Sequence, residues 1–336
     1  MRSALIIPTL LALGGLGYFD ASAQSNALDG CLTTPASKLM VDVRDAGAKG
    51  DGTTDDTAAI QKAIDRVAGT GGTVLVPDGI YKVNPVTSAQ INLKSRMVLK
   101  LMPKATLKAI PNGEPGYSVL VISGVSHVTV TGGTLEGDRE HHQGKTGEWG
   151  MGIRIVGGAE HVTVSNITST KMWGDGFYID GAKDVRLCNV VADFNRRQGL
   201  SIIDAEGVTV TDSVFKNTRG TRPSAGIDLE PDRAEQSIRN VSITRSKFLD
   251  NAGAGIQILG KKGASNVSDV EITNNLFRGK LPVKVKYADG VLDSAICHNR
   301  YMVRPEPSRD LAMVAAIAKE IAVMTGCGDS ALRIRY

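Results

Sequence analysis

Six short segments of this chain share one pattern: Gly152-Ile153-Arg154-Ile155, Gly176-Phe177-Tyr178-Ile179, Gly199-Leu200-Ser201-Ile202, Gly226-Ile227-Asp228-Leu229, Gly255-Ile256-Gln257-Ile258 and Pro282-Val283-Lys284-Val285. They recur every 23–29 residues, a period expected of solenoids. Glycine, or proline in the last, is followed by apolar, polar, apolar. That period of two describes a strand with one buried face. A second column runs beside the first: Val128/Val130, Val162/Val164, Val185/Leu187, Val208/Val210, Val241/Ile243 and Val270/Ile272. A third, weaker column takes Ile167, Val190, Phe215, Phe248 and Phe277. Three short strands per repeat with no helix between them exclude alternating strand–helix units. They describe a coil in which each strand pairs in parallel with its equivalent about 4.8 Å away. The expected fold is all-β: a right-handed parallel β-helix.

Asn166, Asn189, Asp212 and Asn274 follow the second column, where turn or left-handed geometry suits Asn and Asp. An exposed coil end needs a cover. Asp55-Asp56 followed by Ile60, Ile64 and Val67 reads as an N-capped amphipathic helix ending near Gly69, with Thr73–Val76 as the first strand. Residues 39–83 then form the N-terminal cap and first strand. A helix over 310–324 within a C-terminal cap, residues 304–336, closes the other end.

The remaining composition fits a thin aliphatic solenoid: of 336 residues 38 are glycine, and aromatics make up 4%. Met1-Arg2, the short apolar run 4–16 and Ala21-Ser22-Ala23 have the form of a cleavable signal peptide over residues 1–23. That run is too short to span a bilayer, so the mature chain, residues 24–336, is expected to be a single secreted or periplasmic domain without membrane insertion. A net charge of +4 and dispersed basic residues give no nucleic-acid footprint. Four cysteines, Cys31, Cys188, Cys297 and Cys327, can oxidise in an exported protein. Their connectivity is open; Cys188 reads as a buried small hydrophobe, and Cys297 with Cys327 would close a C-terminal loop. The sequence leaves the oligomeric state open.

The stretch from Val43 to Val83, with GAKGDGTTDDTAAIQKAID and then GGTVLVPDGIYKV, closely resembles the N-terminal signature of the pectate lyase superfamily. That group includes rhamnogalacturonases, polygalacturonases and epimerase-like proteins. The resemblance extends through the repeats to about residue 303. It implies cleavage or modification of a polysaccharide, usually an acidic one. Asp51, Asp55 and Asp56 within the signature read as turn and capping residues. The polygalacturonase catalytic set is missing. Of its Asn-Thr-Asp-Gly motif only Asp175 and Gly176 match, its paired aspartates fall at Arg197 and Gln198, and its histidine falls at Ala225.

The outward positions of the first column are Arg154, Tyr178, Ser201, Asp228, Gln257 and Lys284, with Asp180, Glu230 and Lys286 beyond them. The turns feeding it add Asp175, Arg197, Gln198 and Arg222, and an insertion from Gly137 to Glu148 adds His141, with Trp149 after it. A polysaccharide is expected along this face. The first reading is hydrolysis, with Asp228 or Glu230 as proton donor and Asp175 or Asp180 activating water. Arg154, Tyr178, Arg197, Gln198, Arg222, Gln257, Lys284, Trp149 and His141 then bind substrate. No cofactor or metal is required for it. The second is β-elimination or C5 epimerisation of uronates, in which Asp180, Asp228 and Glu230 would ligate calcium. The third is a polysaccharide-binding module without catalysis.

Overall fold

The structure, a computed structural model, describes residue 31, residues 36–260, 266–286 and 291–302, and the backbone of residues 332–335. The expected signal peptide, Lys261-Lys262 and the expected helix over 310–324 lie outside the described residues. The chain divides into two compact units, residues 1–32 and 33–336, and the β-helix is the second. Among the described residues every strand pair in it is parallel, gathered into one 16-stranded and one 11-stranded sheet.

The first column stacks rung on rung in the expected register. Ile153, Phe177, Leu200, Ile227, Ile256 and Val283 are successive partners. So are Arg154, Tyr178, Ser201, Asp228, Gln257 and Lys284. The glycine column follows from that stacking. A Cβ on Gly199 would stand 2.4 Å from the Gly226 carbonyl oxygen, and one on Gly226 would stand 2.5 Å from that of Gly255. No side chain fits where one rung's backbone lies this close to the next.

The first and second columns are expected as separate strands, yet in the middle rungs they are one. Trp149–Ser165, Phe177–Cys188 and Leu200–Thr211 each run through both columns. A register shift marks the corner, where Gly157, Gly158 and Gly181 take positive φ. Glycine lets the backbone bend there without breaking the ladder, as at a β-bulge.

The third column is also placed differently. Its inward residues are Leu107, Leu135, Ser169, Ala192, Phe215, Phe248, Phe277 and Tyr301. Ile167 and Val190 lie two positions earlier, before the strands that hold Ser169 and Ala192. Small residues at the inward position there hide the phase of the repeat. From Phe215 to Tyr301 the rings stack at 5.4, 4.9 and 5.5 Å. Asn166, Asn189, Asp212 and Asn274 all have φ between 51° and 58°, the left-handed geometry expected of them.

A strand earlier than Thr73–Val76 exists: Met40–Asp42 pairs with it and forms the sheet edge. Helix α1 (Thr57–Val67) sends Ile60, Ala63, Ile64 and Val67 into the core shared with Val74 and Val76. The signature acids hold this region together. Asp51 accepts from the amides of Thr53 and Thr54, Asp55 from that of Thr57, and Asp56 from those of Lys49 and Gly50. Cys188 is not a simple buried hydrophobe. Cys31, Cys188 and Cys297 are all disulfide-bonded. Among the described residues no helix is long and apolar enough to cross a membrane.

Candidate active site

The outward face of the first column should be wet by the alternation rule, but its centre is dry. Ser201, Asp228 and Gln257 are 1%, 1% and 3% exposed. The turn that feeds the Leu200–Thr211 strand carries Arg197 and Gln198, and Gln198 is itself fully buried. Gln198 spans two rungs: its Nε2 donates to Asp228 at 2.6 Å and its Oε1 accepts from the Ala225 amide at 2.8 Å. From the next rung, Gln257 Nε2 donates to the other Asp228 oxygen at 3.0 Å, and Lys284 Nζ donates to Gln257 Oε1 at 2.8 Å.

Asp228 and Glu230 do not share a strand, because Ile227–Leu229 ends one residue earlier. The Glu230 amide instead donates to the Ile202 carbonyl. The two carboxyls nevertheless meet. Burial raises the Asp228 carboxyl far above the carboxylate range, and the charge and hydrogen bond of Glu230 add to it, against the Gln257 bond and Arg197. Asp228 therefore holds a proton where an isolated carboxylate would not. Asp228 is sealed, while Glu230 is half-buried and lines a cleft.

Asp175 lies two rungs away and is also sealed. Its Oδ2 accepts from Arg197 Nη1 at 3.0 Å and from Ser201 Oγ at 2.8 Å, while Oδ1 is buried without a protein partner. Burial pushes Asp175 up to about 6 despite the pull of Arg197 and Ser201. Burial works against the charge on Arg197, but Asp175, Glu148, Asp228 and Glu230 together hold its proton more tightly than usual. Glu148, from the insertion, comes within 3.5 Å of Arg197. Sequence reasoning placed it only as part of the insertion.

The insertion is pinned from beneath. Tyr117 Oη donates to Asp138 at 2.7 Å, and His142 Nδ1 lies 2.9 Å from the same carboxylate. His142 stacks on Trp173 at 4.0 Å, Arg196 covers that indole at 3.8 Å, and Arg196 donates to the Gly147 carbonyl. Trp173 is therefore a packing residue. His141 is exposed beside Glu140; its neighbour His142 is the ring that turns inward. Asp180 stands past the corner. There the extra residue Ile203 brings Asp204 opposite it, and Gln236 donates to it at 3.1 Å. Burial and Asp204 raise its pKa.

Two clefts lie along the column. One, of about 830 Å³, is lined by Arg222, Lys280, Lys284 and Lys286 with Glu230 and Gln257. The other, of about 360 Å³, is lined by Trp149, Arg154 and Tyr178 with Tyr117 and Met151. Burial, with Asp180, Asp232 and Asp175 nearby, raises the Tyr178 hydroxyl far above its usual range, so it keeps its proton and offers a hydrogen bond rather than acting as a base. Both Asp228 oxygens accept amide N–H bonds, and Asp180 is engaged elsewhere. Among the described residues no three His, Cys, Asp or Glu side chains are grouped to hold a metal.

Residues 40–280 match the family model described as rhamnogalacturonase A/epimerase, pectate lyase-like. An uncharacterised Bacillus subtilis protein, YclG, is 26% identical over 73% of this chain and 49% of its own length. The plasmin and fibronectin-binding protein A of Streptococcus pneumoniae is 27% identical over 77% of this chain and 38% of its own. The chain thus spans half or less of the length of these curated relatives. Among solved structures, the S. pneumoniae surface protein and adhesin PfbA superposes with a TM-score of 0.63 at 21% identity, over 79% of this chain and 77% of that one. A family 28 exopolygalacturonase of Yersinia enterocolitica gives 0.61 at 18% identity, over 81% and 60%. At such identities the likeness is one of fold.

Proposed function

The chain belongs to the rhamnogalacturonase A/epimerase family of pectate lyase-like proteins, and from that premise we propose that it hydrolyses an acidic polysaccharide bound along the first column. The observation that carries this reading is the sealed Asp228 carboxyl beside Glu230, which lines a cleft bearing four cations. Burial and the Glu230 charge favour a proton on Asp228, and a general acid must start with one. Glu230, the member that lines the cleft, relays that proton from Asp228 to the glycosidic oxygen. Gln198 and Gln257 lock Asp228 in place. Arg222, Lys280, Lys284 and Lys286 neutralise substrate carboxylates or sulfates. Asp175 is the buried counter-ion of Arg197 in this scheme and is too enclosed to touch water. Glu148, half-buried beside Arg197, is the carboxylate that activates the attacking water. An exported location, through the segment 1–23, completes the reading.

One observation favours a second reaction. A cation cluster can neutralise a uronate without metal, which is what β-elimination or C5 epimerisation asks of a site. Incubation with a panel of uronate polysaccharides, with and without chelator, separates the readings. New reducing ends without the unsaturated-uronate absorbance support hydrolysis; both signals together mean elimination. Proton exchange at C5 without new ends means epimerisation. Tight binding with no chemistry makes the chain a binding module.

A further inference from the structure

The turns that lead from the 11-stranded sheet back to the first column begin on a left-handed residue. Lys171, Phe194, Asn217 and Asp250 have φ of 56°, 56°, 57° and 56°. Each amide donates to the carbonyl that ends the next rung's strand. Asn and Asp tolerate this geometry and a bulky aromatic does not, so Phe194 is held there by its surroundings. Its carbonyl accepts from Arg139 Nη1 at 2.7 Å, and its ring carries the guanidinium of Arg139 at 4.0 Å and that of Arg219 at 5.8 Å. Arg196, two residues on, completes a cluster of three. Gly220 touches two of them: a Cβ there would stand 2.8 Å from Arg196 Cγ and 3.6 Å from Arg139 Nη2. The cluster brings no counter-charge of its own. Among the described residues none of the three guanidiniums pairs with a carboxylate, because the neighbouring acids are committed elsewhere. Glu140 goes to Lys171 at 2.6 Å, Glu148 to Arg197 at 3.5 Å and Asp193 to Lys216 at 3.4 Å. Burial, with the charges of Arg219 and Arg196, lowers the pKa of Arg139 against the pull of Glu140. The hydrogen bonds of the three go to backbone carbonyls and the Asn217 side chain, which use only part of the N–H fork each guanidinium carries.

We propose that Arg139, Arg196 and Arg219 form a binding site for a phosphate group, carried by the turns and separate from the clefts of the first column. None of the three lines either cleft. The ligand class follows from the donors. Arginine forks match phosphate oxygens, and a phosphate dianion brings about two charges and three acceptor oxygens. A carboxylate, with a single charge, would leave most of the cluster unneutralised. Phe194 fixes two of the guanidiniums before any ligand arrives, which lowers the cost of ordering them. Arg139 comes from the insertion and Arg196 and Arg219 from successive turns, so a bound phosphate ties the insertion to two rungs. Free inorganic phosphate and a phosphomonoester of a larger molecule share this chemistry. The inference stands on the cluster alone, whichever reaction the first column runs.

The test is titration calorimetry of the intact protein at constant ionic strength, with chloride as the balancing anion. The probes are inorganic phosphate and a hexose phosphomonoester. Saturable binding of at least one is expected, with a dissociation constant below about 1 mM. Arg139→Gln and Arg219→Gln should each weaken it at least about tenfold, the scale of one lost charge-assisted hydrogen bond. Arg219 is exposed, so its replacement leaves the core untouched. Arg239→Gln, at an exposed arginine on the Ile238–Thr244 strand, should change nothing. An ester at least about tenfold tighter than the free ion makes a phosphorylated molecule the occupant; otherwise the free ion is the occupant. The absence of saturable binding by either probe overturns the proposal. So does binding that Arg139→Gln and Arg219→Gln leave unchanged, or that Arg239→Gln weakens equally.

Discussion

Asp175 should make the protein less stable as pH rises through the weakly acidic range. Its carboxyl is fully buried and pushed up to about 6 from an ordinary 3.8, burial outweighing Arg197 and Ser201. Between those values the native state holds a proton that the unfolded chain has released. The sign follows from linkage: the state that binds more protons gains as pH falls. The contribution of Asp175 is therefore fully present below about pH 4 and lost as pH rises through 6. The distance from 3.8 to about 6, at about 1.36 kcal/mol per pH unit, sets a ceiling of about 3 kcal/mol. The perturbation is Asp175→Asn, which removes the titration and strands Arg197 by a pH-independent amount. Asp228 titrates in the same direction, but in both proteins, so it cancels in the difference. The assay is urea unfolding of both at several pH values from about 4 to 7. Wild-type stability minus that of the variant should fall by up to about 3 kcal/mol across the range. A difference that is flat, or that rises with pH, would refute the reasoning.

Other consequences are simpler to check. Phe248→Ala opens a gap between Phe215 and Phe277, which stack on it at 5.4 and 4.9 Å; a loss of about 3–5 kcal/mol in chemical denaturation is expected. Gly199→Ala pushes a methyl against the Gly226 carbonyl oxygen, 2.4 Å away, so thermal unfolding should register about 1–3 kcal/mol of overpacking. Lys280→Ala and Lys286→Ala remove cleft cations at exposed positions. Each should raise KM about two- to fivefold, equivalent to about 0.5–1 kcal/mol, leave kcat nearly unchanged, and flatten the salt dependence of kcat/KM.

Much of the scaffold was legible because a β-helix repeats its requirements. The register from Ile153 to Val283 follows from alternation, and the turns at Asn166, Asn189, Asp212 and Asn274 from residues that tolerate positive φ. The signature acids Asp51 and Asp55 accept from amides two or three residues on, as turn and capping residues do, whereas Asp56, the N-cap residue of α1, makes no side-chain capping bond and accepts from the Lys49 and Gly50 amides instead. The site was less legible, because alternation tells which way a side chain leaves the sheet but not what covers it. Ser201 and Asp228 point outward and are covered by Arg197 and Gln198 of the neighbouring turn, and Gln257 lies between Asp228 and Lys284. The bulge that sets Asp204 opposite Asp180 inserts one residue, Ile203, which a column count passes over. Ser169 and Ala192 are too small and neutral to mark an inward position, which shifted the third column onto Ile167 and Val190. The covalent bond at Cys188 leaves no trace in its apolar strand pattern. Glu148 became a candidate only when the insertion folded back onto Arg197.

The most direct test is proton NMR of an acidic oligosaccharide incubated with wild-type protein and with Glu230→Gln, with binding of both measured in parallel. The account predicts new reducing-end anomeric signals and no vinylic proton with wild type. With the variant it predicts turnover at least about 100-fold slower, the scale of a lost general acid, at unchanged affinity. A vinylic signal, or a variant that keeps the wild-type rate, would contradict it.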